Sequence, residues 1–595
     1  MSEHPSQEWF EMAEVRRRRL SASVWIPLRR SETVVIQGEK NTIGLREEVD
    51  CVGSVAVALE HRAIGERLSW SDIGLIRNPG PSAYKNLPYK PADVHWFNDD
   101  QPIGVDLVLV HSLNGNHERE WFINQDLIMA LRLLKEGDVW LAVDEGYEEV
   151  IRRRRDAGGN VVSIDIKSEY LRDYLCARGM ALRISQYRQR MALLDDPSYL
   201  SWPENGLLVE DDKGRFSSRV FGVDSRGWMT GGSVALMQVW RTDVDEGEDV
   251  PIFDGESDEN TEYKSSTYTR PDTPYAYRTE GELWREDWIE PADRSTRIRD
   301  DDPVEDLAYV VDASGERLPA SALDNEDVGR WLWFKPQVIE ALLGFRGSSL
   351  SWYSKNTGGV KCSPDYDTHF GINAGGYINV YAYDIAKLPQ WQQRVWYGHN
   401  AAPDGPVSAE LMSAQMGKGP ADTIAPEARF AELLEELDVT FVKGFGSPLF
   451  RPHDVQQDVL SRVHRFRSLA PSGILSLAKD VARLTADSFD IPFLRSVLKL
   501  GPKETLGSIK LLQAVLSKAI NDEAEARKIL GPLVGVYDLR LGDAHLPSSK
   551  IDDAYALVGI DRSASAIDQA VGLLDKVCVT FEAINLGIQS AKEGQ

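Results

Sequence analysis

Two residues near the C-terminus, Arg540 and His545, are of types suited to acid–base and anion chemistry, and four residues separate them, Gly542 and Asp543 included. An imidazole titrates near neutrality and can pass on a proton, while a guanidinium offers a planar fork to phosphate oxygens. Asp543 adds a carboxylate that can orient either group. On an unbroken helix the two side chains would point roughly 140° apart. A shared site therefore requires a bend, and Gly542 is the residue that permits one. Leu533, Val534, Val536, Tyr537 and Leu541 precede or interleave with the pair at helical spacing, which predicts a buried helix ending near His545. Pro547 and Ser548 stop it, and Ser549 with Asp552 has the spacing of a capping box for the next helix.

The Arg540-to-His545 spacing and the string Gly542-Asp543-Ala544-His545 resemble the Arg-x4-6-His motif of HEPN ribonucleases and of bacterial abortive-infection proteins that carry a similar string. The resemblance covers the helical stretch at about 494–589. It implies a helical fold, a metal-independent cut in RNA, no cofactor, and a homodimer whose two motifs line one cleft. In that scheme His545 is the general acid or base, and Arg540 holds the phosphate. The position after the Arg, usually polar in the family, is Leu541 here. Taken as residues alone, Arg540 can equally pair with Asp543 or Asp538, and His545 can satisfy carbonyls at a helix end.

The elements that must position these residues are helices. From 428 to 595 apolar residues recur at helical spacing in successive segments joined by short loops, which predicts an all-α bundle. Upstream, 1–200 reads as a mixed α/β domain. Strands are expected at 21–28, 32–37, 54–61, 105–113 and 139–143, and helices at 120–138, 145–155 and 168–194. The middle, 201–400, reads as β-rich. It has an exposed acidic loop near 242–262, a helix starting near Pro336, and its strongest antiparallel signal at 349–385, with turns at 356–359 and 373–376. A Pro- and Ala-rich linker with one short helix is expected about 401–427. The fold class expected is therefore α+β.

Other constellations invite chemistry less directly. Asp144 or Glu145, followed by Asp165-Ile166-Lys167, resembles the carboxylate and lysine pattern of Mg²⁺-dependent PD-(D/E)xK nucleases, and equally suits an ordinary strand. The Arg runs at 16–19 and 152–155 are candidate phosphate contacts, or solvated helix faces paired with Glu14 and Glu148. Trp352, Tyr353, Tyr377 and Tyr381 can stack on bases or pack against a sheet. His369 and His399 lack a partner at metal-ligand spacing and read as structural, and 417–420 lacks the spacing of a phosphate-binding loop.

At 595 residues the chain suggests about three domains. Its net charge of −26 repels nucleic acid over most of the surface, so any RNA contact must use a local basic patch. The four cysteines are far apart, which argues against a zinc cluster or a disulfide framework. With no apolar run of membrane-spanning length and no signal peptide pattern, the expectation is a cytoplasmic protein without membrane contact. These readings converge on a bacterial anti-phage defence or stress-response protein with a C-terminal HEPN-like ribonuclease domain. The alternative is a non-catalytic sensor or scaffold that binds a partner effector.

Overall fold

Long antiparallel strands organise the first half of the chain, the longest of them fifteen residues. The computed structural model describes residues 4–593 except 74–80, 99–100, 114–117, 212–213, 225–227, 242–260, 300–305, 327–328, 364–365, 418, 420, 453, 471, 502–503 and 543–547. Two compact units result, Met1–Ala142 with Glu148–Pro303, and Val143–Tyr147 with Val304–Gln595.

The strands of the first unit, in chain order, are β1 (Trp25–Gln37), β2 (Arg46–Ala58), β3 (Val94–Phe97), β4 (Gln101–Val105), β5 (Val108–Leu113), β6 (Glu118–Ile123), β7 (Leu133–Glu136) and β8 (Val139–Ala142). They continue as β9 (Glu148–Arg155), β10 (Val161–Lys167), β11 (Met180–Leu194), β12 (Leu207–Asp211), β13 (Gly214–Val223), β14 (Ser233–Arg241), β15 (Thr261–Thr269) and β16 (Ala276–Ile289). One large sheet runs β12-β13-β16-β11-β2-β1-β10-β9-β8-β7, with β4 on β2 and β3 on β4; β5 pairs with β6 and β14 with β15. Its main core holds Ile26, Ile164, Leu182 and Ile184 against the Ser168–Arg178 helix.

Three expected helices in this unit are corrected. Residues 148–155 form β9, 168–194 divide at Gly179 into a helix and β11, and 120–138 divide into part of β6, a short Gln125–Ala130 helix and β7. The physical reason is pairing at a distance: β11 lies along β2 on one side and β16 on the other for almost its whole length. Such partners outweigh local helix preference, which is worth only tenths of a kcal/mol per residue, about 0.7 at most for ordinary residues. Gly179, at φ 64°, supplies the left-handed cap that ends the helix and lets the strand begin. Because β16 belongs with β11, the chain divides at 303 instead of near 200. Most of the acidic stretch near 242–262 lies outside the described residues.

The second unit contributes β17 (Ala308–Val310), β18 (Arg317–Pro319), β19 (Trp331–Phe334), β20 (Ser349–Ser354), β21 (Thr357–Ser363), β22 (Tyr366–Ile372), β23 (Ile378–Tyr381) and β24 (Asn400–Ala401). A six-stranded sheet runs β20-β21-β22-β23-β19-β24, and the Gln337–Leu343 helix starts directly after Pro336. Helices dominate from Pro426 onward, around a core that includes Phe430, Leu477, Leu512, Leu539 and Phe581. Sheet and helices share one unit, since Phe466 and Ile567 from the helical part pack in the core of the sheet part. The expected linker carries one short helix, Ala409–Gln415, and the Gln390–His399 helix precedes it. Helices and strands together make the chain α+β. Among the described residues no helix is long and apolar enough to cross a membrane.

Candidate functional site

Arg540 stands at the end of the Gly531–Gly542 helix, which places Leu533, Val536 and Leu539 in the core and leaves Leu541 44 % exposed. The helix runs Gly531–Gly542 and the next Ser548–Val558; the expected end near His545 lies outside the described residues. Asp543 and His545 lie outside the described residues, so the pair expected to share the chemistry is represented here by Arg540 alone.

The Arg540 Nη1 donates to Asp487 Oδ1, and the guanidinium carbon lies 5.1 Å from the centre of the Tyr537 ring. Among the described residues its carboxylate partner is not Asp538 but a residue 53 positions upstream, in the turn after the Ile474–Leu484 helix. With its side chain about a third exposed (30 %), Arg540 is held in place without being sealed in. Among the described residues that one bond is its only hydrogen bond, so Nε and Nη2 retain donors for an oxyanion.

The PD-(D/E)xK pattern fares differently. Asp144 and Glu145 occupy a 3-10 turn that belongs to the second unit, whereas Asp165 is in β10 of the first. Asp165 is 1 % exposed and already accepts from Arg30 Nη2 at 2.8 Å and Ser163 Oγ at 2.5 Å. Lys167 pairs with Glu148. A carboxylate committed to a guanidinium in this way has little left to offer a cation. Among the described residues no group of three or more His, Cys, Asp or Glu is arranged to hold a metal ion.

The Arg run at 152–155, expected on a helix, alternates across β9. Arg153 and Arg155 both bind Asp138 and Glu120, at 2.5–3.2 Å. On the other face Arg154 reaches Glu32 at 3.1 Å, and Arg152 and Arg154 approach Asp165 at 3.7 and 3.8 Å. At 16–19 the helix takes in only Arg16, whose guanidinium covers Phe216 at 4.5 Å. Most of the aromatic candidates are engaged in the fold: Trp352 stacks on Phe466, Tyr381 packs on Trp331, and the Tyr353 hydroxyl donates to Asp367 at 3.2 Å. His399 donates through Nδ1 to the Val395 carbonyl of its own helix at 2.9 Å; His369 is held below its ordinary pKa by burial.

What sequence reading misses is the set of charged residues that the large sheet brings to one face. Gln186, Arg188 and Arg190 alternate on β11, across from Asp50 and Glu48 of β2 and Arg285 of β16. Their period of two was the available signal, hidden by a helix-like apolar spacing around it. Compared with known proteins, the chain matches no family model, no curated protein and no solved structure.

Proposed function

We propose that the C-terminal helices act as a HEPN-like, metal-independent ribonuclease in a bacterial defence or stress-response protein that works as a homodimer in the cytoplasm. Arg540 holds a phosphate of the RNA, His545 moves the proton to or from the reacting oxygen, and Asp543 orients one of the two. The upstream region senses the trigger or restrains the helices. The observation that supports this reading best is the state of Arg540: steadied by Asp487 and Tyr537 at a helix end, partly exposed, with donors to spare.

A second reading is favoured by the same ion pair. Asp487 competes with phosphate for Arg540, and exposed Leu541 follows it, features that suit a non-catalytic module binding a partner protein. Incubation of the full chain with total cellular RNA in EDTA separates the two. The ribonuclease reading expects cleavage that falls by about 10²–10⁴ in His545→Ala, and by a similar factor in Arg540→Ala, with unfolding transitions unchanged. Cleavage surviving both substitutions overturns it. No cleavage by the native chain, together with a stoichiometric partner recovered from native cells, supports the partner-binding module.

A further inference from the structure

The residues at 7–22 lie across the charged face of the large sheet and roof over part of it. Arg285 Nη2 donates to the Arg16 carbonyl at 2.7 Å, its Nη1 to the carbonyls of Val15 (3.3 Å) and Arg18, and Arg190 Nη1 to that of Trp9 at 2.8 Å. Ser21 Oγ donates to Asp287 of β16 at 2.9 Å. Beneath this roof a cavity of about 300 Å³ is lined by Arg18, Arg30, Arg152, Arg188, Arg285 and Trp25, with Asp165 and Glu14 as its acidic residues. That volume is at the lower end for a small-molecule site.

The charges in it do not balance. Arg30 is matched, with Asp50 and Asp165 each at 2.8 Å, and Arg188 is matched by Glu48 at 2.6 Å. Glu14 is drawn to Arg190, 2.7 Å away. Arg285, however, is 5 % exposed and has no carboxylate within 4 Å among the described residues; its hydrogen bonds go to backbone carbonyls, and burial lowers its pKa. Arg152 rests on the Trp25 ring at 4.1 Å and has Asp165, at 3.7 Å, as its nearest carboxylate, already shared with Arg30 and Arg154. The Nε atoms of Arg30 and Arg152 are buried without a hydrogen-bond partner. Unpaired buried donors and an uncompensated buried cation are costly, and native folds keep them where something else supplies the anion. In a chain of net charge −26 a local excess of guanidinium is the more telling.

We propose that this cavity binds a small phosphorylated molecule, its phosphoryl oxygens taken up by Arg152, Arg285 and Arg18. Guanidinium forks match a phosphoryl group, and the cavity's volume suits a small molecule. The site lies wholly in the first unit and does not depend on the ribonuclease reading.

The test is calorimetric titration of the full chain with inorganic phosphate, pyrophosphate and, as a carboxylate control, citrate. Arg152→Gln and Arg18→Gln are the variants of choice, because Arg285→Gln threatens the fold by releasing three backbone carbonyls. Pyrophosphate should bind and raise the melting temperature, and the Arg18→Gln, Arg152→Gln double variant should bind it at least about tenfold more weakly with its own unliganded melting temperature preserved. The proposal is overturned if neither phosphate nor pyrophosphate binds at millimolar concentration, if citrate binds as tightly as pyrophosphate, or if the double variant binds like the native chain.

Discussion

Arg465 and Glu427 meet as a fork inside the second unit: Nε donates to Oε1 and Nη2 to Oε2, each at 2.8 Å, with the two side chains 1 % and 4 % exposed. Glu427 Oε1 also accepts the Arg465 backbone N–H at 3.0 Å, and the guanidinium lies 4.2 Å from the Trp352 ring centre. This one pair ties the first turn of the Pro426–Phe445 helix to the Arg465–Leu469 turn and to β20 of the sheet.

Removing one partner should be far worse than removing both. Arg465→Met strands a buried carboxylate and is expected to cost about 3–5 kcal/mol, whereas Arg465→Met with Glu427→Leu should recover most of that loss. Urea unfolding of the two variants and the native chain decides it; a single variant as stable as the double one would refute the account.

His464, the residue before this fork, predicts an acid limb of stability. It is 6 % exposed, its Nδ1 has no hydrogen-bond partner, and burial pushes its pKa down to about 4, with nearby Glu427 opposing the shift and Arg467 and Arg465 adding to it. The unfolded imidazole, near 6.5, binds a proton first, so the contribution is fully present above about pH 6.5 and is lost as pH falls toward 4. The loss amounts to about 3 kcal/mol at most. Unfolding measured across that window should show the slope in the native chain, and His464→Leu should flatten it; an unchanged slope would assign the acid limb to other groups.

Gly535→Ala is expected to destabilise, although alanine is the better helix former by about 1 kcal/mol. A Cβ at Gly535 would sit 2.8 Å from the Ala554 carbonyl oxygen and from the Val558 backbone nitrogen, where the Gly531–Gly542 and Ser548–Val558 helices cross. Backbone cannot yield as a side chain does, so overpacking of about 1–3 kcal/mol should prevail. A rise in melting temperature on this substitution would show that the helices are free to separate.

Much of the second unit was legible in local chemistry. The helix at Gln337–Leu343 follows from Pro336, and the turn at 373–376 from Asn373, whose Oδ1 accepts the N–H groups of Gly375 and Tyr377 at 3.0 and 2.9 Å. The C-terminal helices follow from apolar residues at i, i+3 and i+4, which bury one stripe whatever surrounds them.

By itself, then, the sequence determined the α+β class, the helical C-terminal part and the placing of Arg540 at a helix end. Only the tertiary structure decided that 148–155 and 180–194 are strands, that Arg540 belongs to Asp487, and that Arg30, Arg152, Arg188 and Arg285 converge beneath the N-terminal segment. The reason is one of range. Caps, turns and apolar periodicity act within a few residues, whereas the strands that pair with β11 and the partners of Arg540 and Arg285 come from chain 53 to 270 positions away, and no local preference encodes which segment that is.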